Sequence, residues 1–384
     1  MVEPMMNRAA AATIVLLLSA CAADTDADTE LAGSEAGSAR APAPAVVAHG
    51  PGADFTVGAG DAYPGLDAES HLRSVRQLTF DGENAEAYFA FDGTRLVYQR
   101  TPADGGCDQI FELDLATGAE RLVSTGDGRT TCSYFYPDGE TILFSSTHLA
   151  GAACPAPADY SRGYVWPVYE AYDLFITDGD GGFTRLTETP GYDAEATVSP
   201  LGDRIVFTSV RDGDLDLYSM ALDGSDVRRL TDRPGYDGGA FYSPDGSQIV
   251  WRAHYPEGED ALEDYRSLLA DGLIRPSQLE LWVADADGGN PRQLTDNGAA
   301  NFGPYWHPSG DWIVFSSNLH DPQGRDFDLY GVSVEGGEPW RITHTDGFDG
   351  FPVFSPDGRF LVWGSNRNPA HEGNTNVFIA EWVD

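Results

Sequence analysis

From about residue 74 onward, apolar and polar positions fall mostly into short runs. One kind of run holds consecutive Ile, Val, Leu and Phe, at 95–99, 141–145, 204–208, 248–252, 312–316 and 359–363. Unbroken runs of this length predict strands buried on both faces. A second kind alternates apolar with other residues, at 109–115, 172–177, 215–222, 279–284, 327–334 and 376–382. Several of these are followed by Asp-Gly or Gly-Gly, the signal of a tight hairpin. A third kind is a short run resembling Arg-Leu-Thr, at 76–79, 121–123, 185–187, 229–231, 293–295 and 341–343.

Each buried run follows a turn ending in Gly: Phe91-Asp92-Gly93, Tyr136-Pro137-Asp138-Gly139, Ser199-Pro200-Leu201-Gly202, Ser243-Pro244-Asp245-Gly246, His307-Pro308-Ser309-Gly310 and Ser355-Pro356-Asp357-Gly358. Pro presets φ, and Asp and Gly suit the turn. The strand leading into each turn completes a four-stranded unit. Six such units predict an all-β fold, a six-bladed β-propeller of four-stranded antiparallel blades. The repeats are out of phase with the chain. The first Arg-Leu-Thr-like run precedes blade 1, and blade 6 ends on its third strand. The N-terminal strand is therefore expected to complete the last blade, closing the ring and removing exposed edges.

The repeats resemble the WD40-like PD40 repeats of the TolB propeller. The resemblance rests on Ser-Pro-Asp-Gly at 243–246 and 355–358, on Arg211-Asp212-Gly213-Asp214 before Leu217-Tyr218, and on Arg229-Leu230-Thr231. It covers about residues 74–384 and implies a periplasmic protein-binding module. Similar propellers gate prolyl-oligopeptidase-type peptidases, and a related architecture serves oligogalacturonate lyases. Two departures argue against a role in the Tol system: a tether where TolB has an α/β domain, and a lipobox-like start.

That start is an apolar run from Ala9 to Leu18 after Arg8, too short to span a bilayer and suited to a signal peptide. It ends in Leu18-Ser19-Ala20-Cys21, which resembles a bacterial lipobox with Cys21 as the lipidated residue. A plain secretory signal is the alternative. The expected organisation is a signal peptide over 1–20, a flexible acidic, Pro-, Gly- and Ala-containing tether over 21–70, and the propeller over 71–384. The expected location is the bacterial cell envelope, lipid-anchored on the periplasmic side or at the cell surface.

Spacing between the turn glycines is uneven, and the extra length falls in two B–C loops, about 147–170 and 253–278. Connections of an antiparallel meander alternate between its two ends. The B–C and D–A loops therefore share one face, where binding is expected. In the second insertion, Leu262, Tyr265, Leu268 and Leu269 form one stripe, which predicts a helix with Gly272 near its end. Nine positions before the turn glycines stand Asn84, Thr130, Asp193, Asp237, Asn301 and Asp349. Placed in D–A loops, they would ring the channel mouth and bind a cation, a sugar or an amine. The competing reading makes each one cap its own loop. Arg211, His148 and His254 join them as binding candidates.

Metal chemistry has weaker support. Asp212-x-Asp214-x-Asp216 and Asp178-x-Asp180 resemble calcium loops but lack a distal bidentate Glu. His148, His254, His320 and His371 fall in or near B–C loops, without tight ligand spacing. No cofactor is expected, although a divalent cation has a place to bind. Export favours one disulfide among Cys107, Cys132 and Cys154, with Cys132 pairing to either of the others.

Charge narrows the function. Sixty-one acidic residues oppose 23 basic ones, all Arg, for a net charge of −38. Without a basic stripe, nucleic acid is excluded as a partner, and the lipid would be the only membrane contact. Catalytic signatures such as G-x-S-x-G and H-E-x-x-H do not occur. The expectation is a monomeric module that binds an envelope protein, a small molecule or an oligosaccharide. The alternative is a hydrolase or lyase acting on a carbohydrate or peptide in the channel, with or without a metal, through groups such as Arg211 and Arg252.

Overall fold

The computed structural model describes residues 55–179, 181–322, 324–368 and 374–384. Cys21, the signal segment, the tether as far as residue 54, Asp180 and His371 lie outside the described residues.

Six antiparallel sheets form six blades. In blade 3, strands A to D are Asp193–Val198, Arg204–Ser209, Asp216–Ala221 and Arg228–Arg229. Strand B is the buried run in every blade. In blade 2 each residue of Ile142–Ser146 is buried. Pro-Asp-Gly turns lead into it because the Asp carboxylate closes the turn: Asp138 Oδ1 accepts the amides of Glu140 and Thr141 at 2.9 and 2.8 Å.

The Arg-Leu-Thr motif is a clamp on strand C. Its Thr hydroxyl accepts a strand C amide, Thr231 from Leu217 at 2.9 Å and Thr343 from Leu329 at 2.8 Å. Its Arg pairs with the acid opening strand C, Arg229 with Asp216 and Arg185 with Asp173, both at 2.7 Å.

The ring closes as expected. Leu72–Gln77 pairs with Asn376–Trp382 as the fourth strand of blade 6, and Thr79 accepts the amide of Val377 at 2.9 Å, repeating the clamp. Residues 55–70, expected to belong to the tether, lie along the propeller and are anchored to it at Phe55, Ala59 and Glu69. Asp61–Ala62 adds a fifth strand to blade 6. Phe55 is buried against Phe89 and Phe360. Glu69 is buried in an ion pair with Arg367 at 3.1 Å. Composition hides this, since two aromatics, Phe55 and Tyr63, and one acid, Glu69, do the anchoring, Tyr63 by packing edge-on against Phe378.

The two insertions meet. Trp166–Pro167 of the first pairs with Leu273–Ile274 of the second, forming a two-stranded sheet. The expected helix, α1, spans Glu259–Ala270 and buries Tyr265 and Leu268. The Tyr265 hydroxyl reaches Asp214 Oδ1 at 2.5 Å and the Gly235 carbonyl at 2.6 Å, tying the cap to blades 3 and 4. The disulfide corrects the expected pairing: it joins Cys107 to Cys154, and Cys132 is a free thiol. Cys132 sits in strand A, while the other two lie in loops that can approach one another.

Candidate binding site

Asn84, Thr130, Asp193, Asp237, Asn301 and Asp349 are all buried and lie at the start of strand A, not in the D–A loops. Most of their polar atoms are used within the blades, while Asp193 Oδ2 and Asp237 Oδ2 are buried without a hydrogen-bond partner among the described residues. Asp237 Oδ1 accepts from Trp251 Nε1 at 2.7 Å and from Tyr255 at 2.5 Å. Asn301 accepts from Ser317 at 2.7 Å, and Asn84 from Arg100 at 2.9 Å. Asp349 is paired with Arg367 at 2.8 Å. Arg211 is spent in the same way, on Asp193 at 2.9 Å, with its guanidinium over Phe207 and Tyr218. These are cross-links of the fold and do not form an open ring.

The residues that ring the channel stand two positions further on. Glu86, Cys132, Glu195, Gly239, Gly303 and Phe351, one per blade, line one enclosed chamber. All six have positive φ, between 51° and 61°. Each lies in a β-bulge of strand A, as between Ala194 and Thr197. The bulge places two residues opposite one and re-aims a side chain. Counting seven positions back from each turn glycine finds this ring, but nothing in the residue types announces it.

The chamber is charged and internally paired, except that Arg252 Nε and the Ser133 hydroxyl are buried without a hydrogen-bond partner among the described residues. Arg252 Nη2 meets Glu195 Oε2 at 3.0 Å, and Glu195 also accepts from Tyr192 and Tyr236 at 3.1 and 3.2 Å. Burial works against the guanidinium charge, and Glu195, Tyr236 and Glu86 override it and keep Arg252 protonated. Burial pushes the Glu86 carboxyl up to about 7 despite a hydrogen bond with Cys132. The Cys132 thiol is also driven well above its ordinary value by burial. The chamber's volume is about 80 Å³, room for a few waters but not for a substrate-sized ligand.

A larger space opens above it. A pocket of about 570 Å³ has Phe302, Phe348 and Phe351 among its lining residues, with Tyr164 and Trp166 from the first insertion and Gln278 from the second. Asn318 and Arg325 come from the B–C loop of blade 5. Trp166 and Phe351 line both spaces. The insertions thus frame a pocket that an aromatic or aliphatic group can enter, with amide and guanidinium groups to orient it.

His148 bonds Ser146 at 2.9 Å and packs on Phe175, while His254 meets the Gln278 carbonyl at 3.2 Å. Neither lines the chamber or the larger pocket. In blade 3, Asp214 and Asp216 serve Tyr265 and Arg229. Among the described residues, the one His that groups with acids is His320, beside Asp326 and Asp328.

No family model matches the chain. It is 31% identical over 250 residues, 63% of its length, to an uncharacterized peptidase, YuxL, of Bacillus subtilis, of which the match covers 31%. Over 55 residues, 14% of the chain, it is 40% identical to the Tol-Pal system protein TolB of Bordetella pertussis, 13% of that protein. The chain thus spans less than half the length of these curated relatives. Among solved structures, TolB from Acinetobacter baumannii has a similar fold, with a TM-score of 0.53 at 20% identity over 72% of this chain and 57% of that one. The chain is a six-bladed β-propeller with a fold similar to that of TolB.

Proposed function

We propose that the chain is a cell-envelope lipoprotein whose propeller binds a protein segment or a small ligand on its insertion-bearing face. The observation that carries this reading is the pocket of about 570 Å³ framed by two insertions from different blades, with aromatic walls and polar groups at Gln278, Asn318 and Arg325. The apolar run ending in Leu18-Ser19-Ala20-Cys21 supports the lipid anchor. The test is a thermal-shift screen of oligosaccharides and peptides against the purified protein. A ligand should raise the melting temperature of the wild type but not of Arg325→Ala or Tyr164→Ala. Ligands that stabilise both variants equally would place binding elsewhere. For the anchor, Cys21→Ser should release the protein from membranes, and continued membrane association would refute it.

A second reading is a hydrolase or lyase acting on a carbohydrate or peptide. It is favoured by Glu86, whose carboxyl sits near 7, the range of a general acid or base; a substrate would lie in the larger pocket and meet Glu86 through a water of the chamber, past Trp166 and Phe351, which line both spaces. The likeness to an uncharacterized peptidase is compatible with it. Turnover of any screened ligand that Glu86→Gln abolishes would favour catalysis over binding alone.

A further inference from the structure

We propose that His320, Asp326 and Asp328 form a binding site for one divalent transition-metal ion of the zinc type on the insertion-bearing face of blade 5. His320 Nε2 stands 3.3 Å from Asp326 Oδ2 and 3.3 Å from Asp328 Oδ2. One ligand atom from each residue lies within 4.8 Å of the other two. In a tetrahedral site with bonds of about 2.1 Å, ligand atoms stand roughly 3.4 Å apart. The two distances from the imidazole therefore match the edge of such a site.

Groups outside the site hold the other atom of each ligand. His320 Nδ1 bonds the Tyr330 hydroxyl at 3.0 Å. Asp326 Oδ1 accepts from the Gly347 amide at 2.8 Å, and Asp328 Oδ1 from the Thr343 hydroxyl at 3.1 Å. Such partners fix ring and carboxylate orientation in metal sites. Arg341 also touches Asp328 Oδ2, so the ion shares that oxygen and takes its second lone pair. Two carboxylates beside an imidazole suit zinc chemistry better than the all-oxygen shell of calcium. His320 and Asp326 remain partly exposed, which gives an ion a way in and leaves a coordination position for water.

Blade 3 shows what the site requires. The corresponding positions there are Asp212, Asp214 and Asp216. Arg229 lies 3.9 Å from Asp212 and 2.7 Å from Asp216, so it bridges the two acids, whereas in blade 5 Arg341 touches Asp328 and His320 reaches the same carboxylate oxygen directly at 3.3 Å. Asp214 spends one oxygen on Tyr265 and the other on the Gly235 amide. In blade 5 an imidazole replaces the first acid. The loop carrying His320 and Asp326 also supplies Asn318 and Arg325 to the large pocket, so a bound ion would pin that wall.

The test uses the full chain after dialysis against a chelator, titrated with Zn²⁺ and, as an optical probe, Co²⁺. The expected result is one equivalent bound per chain, a Co²⁺ visible band, and a higher melting temperature with Zn²⁺. His320→Ala and Asp326→Asn should each weaken binding about 100-fold or more, while His148→Ala and His254→Ala leave it unchanged. If His320→Ala does not fold, His320→Gln takes its place. No stoichiometric uptake by the wild type, or equal uptake by the His320 and Asp326 variants, overturns the proposal.

Discussion

Gly239 lies against Arg252: a Cβ built on Gly239 would stand 2.0 Å from Arg252 Nη1. The absence of a side chain at this bulge is what lets the guanidinium occupy the channel. Gly239 also has φ of +61°, which a Cβ resists. Gly239→Ala should therefore cost about 2–4 kcal/mol, combining overpacking with a strained backbone. Denaturant unfolding measures this, and a neutral result would mean that Arg252 has another place to go.

Removing the arginine tests the other side of the pair. Arg252 and Glu195 are both largely buried at 3.0 Å. Arg252→Leu removes the cation beside the Glu195 carboxyl and leaves it held only by hydroxyl donors. Unpairing a buried ion of this kind costs about 3–5 kcal/mol. The double variant Arg252→Leu/Glu195→Leu should recover part of that loss in the same unfolding assay.

Glu86 should make stability fall with rising pH. Its folded pKa, about 7, lies above the ordinary value of 4.5, so the folded state holds the proton more tightly than the unfolded state. The neutral form therefore favours folding below about pH 4.5, and the penalty of ionisation grows as pH rises to 7 and stays constant above it. Glu86→Gln should stabilise the protein at pH 8 by about 3 kcal/mol relative to its effect at pH 4. Equal effects at both pH values would contradict the shift.

Ring closure depends on residues that read as linker. Arg367 is buried between Glu69 and Asp349. Glu69→Ala should cost about 2–4 kcal/mol by leaving Arg367 with one carboxylate fewer. A chain starting at residue 55 should retain the wild-type melting temperature, whereas one starting at residue 71 should not. Thermal unfolding of both truncations decides this.

The disulfide should be worth about 2–4 kcal/mol, because it closes a 47-residue separation. Cys107→Ser should show that loss, and Cys132→Ser should not. In a chain starting at residue 55, thiol titration after unfolding without reductant should find one free thiol. Finding three would refute the bond.

Much of this molecule is legible from local pattern. Pro-Asp-Gly turns, buried runs and the Arg-Leu-Thr clamp recur because each blade needs the same short-range hydrogen bonds, as Asp138 and Thr231 show. The phase of the repeats is local too, and it foretold that the N-terminal strand closes blade 6. The site was less legible. Asp193 and Glu195 are two apart, so in a regular strand they would share a face. The bulge between Ala194 and Thr197 separates them, burying Asp193 in the blade and turning Glu195 into the channel.

The sequence by itself therefore determined the number of blades, the strands within them and the closure of the ring. Only the tertiary structure decided which residues meet. It chose Cys154 over Cys132 as the partner of Cys107. It joined insertions of blades 2 and 4 through Trp166–Pro167 and Leu273–Ile274. It set His320 against Asp326 and Asp328, apart from the other described histidines among the sequence candidates. Turns and strands are fixed by neighbours a few residues apart, and their signals repeat along the chain. Contacts between blades and between loops depend on bulges, insertions and side-chain reach, which carry no period and become visible only when the chain is folded.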